Sequence, residues 1–255
     1  HGAYLAFTRQ NLHPLESGAD LCVESAHKTL PCLTGTAYLH IGKNAPDFLV
    51  KNANYALNLF ASTSPSYLLI SSLDRFNGIA ETFAKKVKTC QGVVENLKSI
   101  LEKNGYTLVG NEPLKITVNA KKYGYYGEEI AKALRDNRII AEFYDKDFLT
   151  LMFSPYNSLR SVRRLEKALL DLPCKPEINE KPPKAAVCQK VLSVRDAVFS
   201  TFEEIPAGDS EGRILAGLTL SCPPAVPIAV SGERLTAEAV AALKYYGVTY
   251  IKAVR

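Results

Sequence analysis

The chain has 255 residues, 47% hydrophobic and 22% charged, with a net charge of +5. That is room for one large domain or two small ones of ordinary globular composition. No apolar run approaches the ~20 residues that span a bilayer, and the mild positive charge, densest at Lys85, Lys86 and Lys88, lacks the clustered basic face with interleaved aromatics of a nucleic-acid binder.

The first residue is His1 and not Met, and the whole chain holds one Met. A fragment, a processed chain or a gene remnant is therefore expected. No basic start followed by an apolar stretch is present, so no signal peptide is expected. Read alone, His1 is a frayed terminal residue. The six cysteines, Cys22, Cys32, Cys90, Cys174, Cys188 and Cys222, form no Cys-x-x-Cys pair, and their spacings resemble no zinc site. Several sit in apolar runs, as small buried residues do. A reducing, cytoplasmic compartment is expected.

Residues 20–41 read as a short apolar strand, a polar turn ending in Lys28, and a second strand from about Leu33 to Ile41. Turns usually carry Gly, Pro, Asn or Asp. A lysine there is either a solvated loop residue or an amine nucleophile whose pKa is lowered by its surroundings. From Asn52 the pattern is helical, and Pro65 with the hydroxyls Ser62, Thr63, Ser64 and Ser66 breaks it. Those hydroxyls are placed to cap the next helix, and equally to meet a phosphate at its N-terminus.

Apolar residues at spacings of three and four, from Leu73 through Phe76, Phe83, Val87, Val94 and Leu97 to Leu101, predict an amphipathic helical stretch stopped by Asn104-Gly105, with one long helix fitting better than two. A strand at Leu114–Val118, a helix at Gly127–Arg135, strands at Ile139–Tyr144 and Phe148–Phe153, and a helix at Ser161–Leu170 follow, a modest α/β sandwich. Pro173 to Lys184 is a proline-rich, charged, extended linker. After it come a helix near Ser193–Phe202, a strand from about Gly212 to Leu220, the run Cys222-Pro223-Pro224-Ala225-Val226-Pro227 through Ser231-Gly232-Glu233, and a helix capped by Thr236 and stopped by Gly247.

Ser25-x-His27-Lys28-Thr-Leu followed by Leu33-Thr-x-x-Ala-x-Leu-His40 resembles the cofactor-lysine segment of the pyridoxal-phosphate-dependent ornithine/lysine/arginine decarboxylases, in register over more than twenty residues. The run Gly127-Glu-Glu-Ile-Ala to Glu142 resembles that family's small domain. The Pro223-Pro224-x-x-Pro227…Gly232-Glu233 run resembles its C-terminal domain, with Cys222, Ala225 and Ser231 standing where the family has tyrosine, glycine and proline. The resemblance implies an α/β fold, the C-terminal part of a PLP-transferase-type large domain followed by a small α/β domain and a C-terminal decarboxylase-type region. The boundaries expected are 1–104, 105–172, a linker at 173–190, and 191–255.

By the same resemblance Lys28 holds pyridoxal 5′-phosphate as a Schiff base. Ser25 and His27 contact its phosphate or orient the lysine, and His1 lies near the 3′-oxygen. Thr63 and Ser64 reach the phosphate of a neighbouring subunit, which implies a homodimer. Glu142 is structural, pairing with an arginine, and Glu233 is an acid near the substrate's distal cation or, in preference, a surface salt bridge or turn hydrogen bond. The aspartate that pairs with the ring nitrogen precedes the position of His1 in the family, so a separate N-terminal half is an expected partner. The activity implied is decarboxylation of lysine, ornithine or arginine to the polyamine-type amine. An aminotransferase-like enzyme and a non-catalytic interaction module remain open as alternatives.

Overall fold

The computed structural model describes residues 2–217, 219–222 and 226–255. The readings made on His1, Pro223, Pro224, Ala225 and the Cys222 side chain fall outside it. The chain divides into two compact units, His1–Ser99 with Asn111–Lys115 and Phe153–Val162, and Ile100–Gly110 with Ile116–Met152 and Arg163–Arg255.

In the first unit, β1 (Leu21–Glu24) and β2 (Tyr38–Ile41) form an antiparallel pair, and the one-turn helix α1 (Ala26–Thr29) follows directly on β1. The second strand is shorter than the 33–41 expected, because the 30–37 stretch is consumed in turns, with Gly35 at φ +98. Helix α2 (Asp47–Phe60) starts five residues before the expected Asn52, with Asp47 in the first turn where the helix dipole favours an anion. Over Leu73–Leu101 the less favoured alternative holds: the stretch is two helices, α3 (Tyr67–Asn77) and α4 (Ala80–Lys103), and not one. Asn77-Gly78 is the weak point, since glycine costs a helix interior about 1 kcal/mol. There the ladder tightens, and the Ile79 N–H donates to the Phe76 carbonyl at 3.0 Å. The break is packed: Phe7, Phe76 and Phe83 meet edge to face with centroids 5.6, 5.3 and 5.4 Å apart. Val87, Val94 and Leu97 continue that buried stripe along α4.

In the second unit a sheet runs in the order β3 (Leu108–Val109), β4 (Lys115–Asn119), β6 (Phe148–Met152), β5 (Phe143–Tyr144). Helices α5 (Gly127–Asp136) and most of α6 (Leu159–Leu170) accompany it. Alternation on β4 and β6 buries Ile116, Val118, Leu149 and Leu151, and α5 and α6 bury Ile130, Leu134 and Leu169. The strand expected at 139–144 shrinks to two residues. Arg138 at φ +59 ends α5, and the Ile139 N–H turns back to the Leu134 carbonyl, so these residues serve the helix exit. Glu142 is exposed and has no arginine partner among the described residues. Only its backbone N–H is used, donating to Thr150.

The segment from Pro173 is extended, as its prolines require, but it is not loose. The Lys175 N–H donates to the Tyr123 carbonyl and the Ile178 N–H to the Lys121 carbonyl. Gly124 makes this approach possible: at φ +85, a β-carbon there would lie 2.5 Å from that of Lys175. Beyond it come β7 (Gln189–Lys190), α7 (Val194–Phe199), β8 (Phe202–Pro206), β9 (Thr219–Cys222), β10 (Val226–Val230), β11 (Glu233–Arg234), α8 (Ala237–Tyr245) and β12 (Tyr250–Val254). The strand expected over 212–220 is instead two isolated bridges, at Ile214 and Leu215, followed by β9. Thr236 Oγ1 accepts from the Ala239 N–H and caps α8 as expected. Leu235, Ala239 and Leu243 pack there with Leu215, Ile251 and Ala253.

Lys121 sits in this second unit at 5% exposure, and Asp147 is also 5% exposed. The ammonium lies 2.8 Å from Asp147 Oδ1 and donates to the Glu180 carbonyl, 2.8 Å away, and to the Tyr245 hydroxyl. Tyr245 in turn donates to Asp147, and burial with the Asp147 charge pushes its phenol far up. Truncating one partner of a buried ion pair costs about 3–5 kcal/mol. Exposed pairs such as Lys122–Glu177 contribute at most about 1 kcal/mol. Asp147→Ala is therefore expected to lower urea stability by about 3–5 kcal/mol and Glu177→Ala by less than about 1 kcal/mol. Equal midpoint shifts for the two variants would remove the special standing of the buried pair.

Candidate active site

Ser25 ends β1 with an extended backbone, φ −72 and ψ 98, and is the N-cap of α1 without spending its hydroxyl on a cap hydrogen bond. Ala26 is fully buried beneath the turn. The Lys28 N–H donates to the Ser25 carbonyl at 3.2 Å, and the Leu30 N–H closes the turn on Ala26 at 2.8 Å. With Ala26 fixed inward, the Lys28 side chain is exposed, and no hydrogen bond or ion pair holds its amine among the described residues.

His27 is fixed from one side. Its Nδ1 lies 2.8 Å from the Thr36 carbonyl oxygen, which can only accept, so Nδ1 carries a proton. In the neutral ring Nε2 is then left as an acceptor. Thr36 is buried, and its hydroxyl donates to the Leu33 carbonyl at 2.8 Å, so the loop that orients His27 is itself fixed. Helix α3 holds the same loop, with the Leu33 N–H donating to Ser72 Oγ at 2.8 Å and the Tyr38 hydroxyl to the Leu73 carbonyl at 3.3 Å. The Thr29 hydroxyl is buried without a partner.

Ser25, His27 and Lys28 thus share one turn. Thr63 and Ser64 stand elsewhere, exposed in the connection between α2 and α3, and no hydrogen bond joins them to the Lys28 turn. The expected cap is absent: Ser66 is the N-cap of α3 but its side chain accepts nothing, and Ser62 Oγ instead accepts from the Ser64 N–H. In the second unit, Glu233 accepts from the Val230 N–H at 2.9 Å, a turn hydrogen bond, which is one of the three roles considered for it.

A polar cluster that the sequence reading missed lies just before the lysine turn. Glu24 is 4% exposed, and its Oε2 is 3.1 Å from His13 Nε2 and 3.4 Å from His40 Nε2. Its Oε1 is buried without a partner. Register explains the assembly: Cys22 pairs with His40 across the strands, and Glu24 is two residues on, so all three share one face. Burial first, then the Glu24 charge and hydrogen bond, push the Cys22 thiol up. Strand alternation put Cys22 and Glu24 together, but only the pairing register brings in His40. The same unit carries an apolar groove of about 520 Å³ lined by Leu21, Leu39, Phe48, Leu57 and Phe60.

Comparison with known proteins identifies relatives of this chain. Residues 1–107 match the model for the major domain of Orn/Lys/Arg decarboxylases, and residues 177–252 match the C-terminal domain of the same family. An arginine decarboxylase of Bacillus subtilis (strain 168) is 26% identical over 93% of this chain and 52% of that protein. One of Halalkalibacterium halodurans is 27% identical over 92% and 52%. Lysine decarboxylase A from Pseudomonas aeruginosa has the same fold, with a TM-score of 0.74 at 14% identity over 99% of this chain and 52% of that one. The chain spans about half the length of the curated relatives it matches.

Alkylation proceeds through the thiolate. Because burial and Glu24 disfavour the Cys22 thiolate, Cys22 is expected to alkylate severalfold more slowly than exposed Cys174 at pH 8, read by peptide mass spectrometry. Glu24→Gln removes the charge and is expected to speed Cys22 severalfold. Equal rates at Cys22 and Cys174 would contradict this environment.

Proposed function

The chain belongs to the Orn/Lys/Arg decarboxylase family, and on that premise we propose that it carries the lysine-bearing part of a pyridoxal-phosphate-dependent enzyme that decarboxylates a basic amino acid. The observation that carries the reading is the Lys28 turn: an exposed amine without a partner, one residue from an oriented imidazole and three from a free hydroxyl.

The donor set fits one side of the cofactor. Lys28 supplies the amine that holds it covalently, Ser25 and His27 supply polar groups at its phosphate, and the fixed Thr36 carbonyl keeps His27 turned. The family's ring-nitrogen aspartate lies in the segment preceding the position of His1, and the proposed activity requires that segment too. When bound, the cofactor supplies the electron sink for the electrons left as carbon dioxide departs. His27, with Nε2 left as an acceptor, is the proposed group to accept or hold a proton in the reaction. Relatives are named as arginine and lysine decarboxylases, so the substrate class is the basic amino acids.

A homodimer in the cytoplasm completes the proposal. Thr63 and Ser64 are exposed, as residues offered to a neighbouring subunit must be, and the apolar groove beside α2 is the kind of surface that further protein covers. The described cysteines Cys22, Cys32, Cys90, Cys174 and Cys188 are all free, in keeping with a reducing compartment. No helix of the described residues is long and apolar enough to cross a membrane.

Borohydride reduction with pyridoxal phosphate is expected to leave the cofactor on the peptide containing Lys28, and Lys28→Ala to abolish the label. Carbon dioxide release from arginine, lysine or ornithine by the chain combined with an N-terminal segment of the family would establish the decarboxylase. Keto-acid formation would establish an aminotransferase instead. A chain that traps no cofactor even when so completed would be a non-catalytic module, and the proposal would fall.

A further inference from the structure

We propose that His13, Cys22 and Glu24 form a binding site for a zinc-class divalent cation, with His40 flanking it. This inference rests on the geometry of the β1–β2 pair and is independent of the proposed decarboxylase activity. His13 Nε2, Cys22 Sγ and a Glu24 carboxylate oxygen all lie within 4.8 Å of one another. Four ligands at about 2.0–2.3 Å from a tetrahedral ion stand about 3.3–3.8 Å apart. The separations of Glu24 Oε2 from His13 Nε2, 3.1 Å, and from His40 Nε2, 3.4 Å, are already close to that edge. Side-chain adjustments of about an ångström bring the three donors onto one ion.

The donors come from backbone that is already ordered. Cys22 and Glu24 project from one face of β1, and His13 is the N-cap of the 3-10 turn Pro14–Ser17. A second observation points to a ligand. Glu24 is 4% exposed, yet its Oε1 has no hydrogen-bond partner among the described residues. A buried carboxylate oxygen normally finds a donor, and leaving it bare costs about 1–3 kcal/mol. A cation drawn in by the carboxylate removes that cost.

The donor set selects the ion class. One imidazole nitrogen, one thiolate and one carboxylate suit zinc and its spectroscopic surrogate cobalt(II), whereas magnesium and calcium take all-oxygen shells. One rearrangement is required. The Leu15 N–H lies 3.3 Å from His13 Nδ1, so in the metal-free ring Nδ1 accepts and Nε2 carries the proton toward Glu24. Metal on Nε2 displaces that proton, moves the tautomer to Nδ1–H and breaks this long contact. The swap is a measurable signature: a purely hydrogen-bonded His–Glu–His cluster never shows it.

The test is a cobalt(II) titration of the reduced 255-residue chain, followed by the thiolate-to-cobalt charge-transfer and tetrahedral d–d bands. One equivalent is expected to saturate the signal, and zinc to displace it. Cys22→Ala and His13→Ala are expected to abolish the bands, His40→Ala to weaken binding without abolishing it, and Cys174→Ala to change nothing. Far-ultraviolet circular dichroism of Cys22→Ala checks that the fold survives this small apolar replacement. Nitrogen-15 spectra are expected to show His13 passing from Nε2–H to Nδ1–H as zinc is added. Absence of bands at stoichiometric cobalt, bands that persist in Cys22→Ala, or a His13 that stays Nε2–H under saturating zinc would each overturn the site.

Discussion

An ionised carboxylate taken out of water is tolerated only where donors converge on it, because its desolvation costs several kcal/mol. Glu24 meets that constraint at the end of β1, where two imidazoles close on a single oxygen. Those imidazoles arrive from different places, His13 from the turn before β1 and His40 from β2. The cluster therefore ties three segments together at one point. It also pins the register. A slip of one residue between β1 and β2 would turn Cys22 and Glu24 to the opposite face and leave His40 behind. The very next residue is Ser25, and Lys28 follows within one turn. The exposed amine is thus mounted on a base whose register cannot drift, and its outward direction is set by buried Ala26 beneath it.

The second unit solves a similar problem with the opposite sign of charge. Lys121 is as buried as Glu24, and it too draws partners from distant parts of the chain: Asp147, the Glu180 carbonyl and Tyr245. The consequence differs because Glu180 belongs to the proline-rich segment. Two backbone hydrogen bonds and the close passage over Gly124 lay that segment along residues 121–124. Prolines made it extended, and buried polar groups made it fixed. The C-terminal family match begins at residue 177, inside the pinned stretch, so the segment serves as a seam within the unit and less as a spacer.

The elements with strong periodicity were legible. The β4 and β6 alternation, the α5 and α6 stripes and the Thr236 cap follow from residue spacing alone, and the fold class followed from their order. The lysine turn was legible through its motif. What was hidden depended on non-local geometry. The apolar stripe running from α3 into α4 keeps its spacing across Asn77-Gly78, so periodicity could not reveal the break. Ile139 and Ile140 look like strand residues, yet the helix exit at Arg138 claims them and leaves Ile140 exposed. Cysteine spacing likewise gave no hint of the His13–Cys22–Glu24 cluster, because spacing counts along the chain. His13, Cys22 and Glu24 meet through strand pairing and a turn, a relation no linear interval encodes.

The surface of the first unit bears on how the Lys28 turn works. Phe48, Val50, Tyr55, Leu57, Leu59 and Phe60 are all exposed on or beside α2. Single exposed apolar residues need no explanation, whereas a contiguous apolar groove is the kind of surface that, on the proposed reading, further protein covers. The groove is lined by Leu21 of β1 and Leu39 of β2, the strands that hold Lys28 in place. Further protein seated there would press directly on the base of the lysine turn. On the proposed reading, covering the apolar face and completing the polar site are one event, because the same two strands border both. That coupling gives a physical reason why a lysine motif this well formed would depend on protein beyond the motif itself.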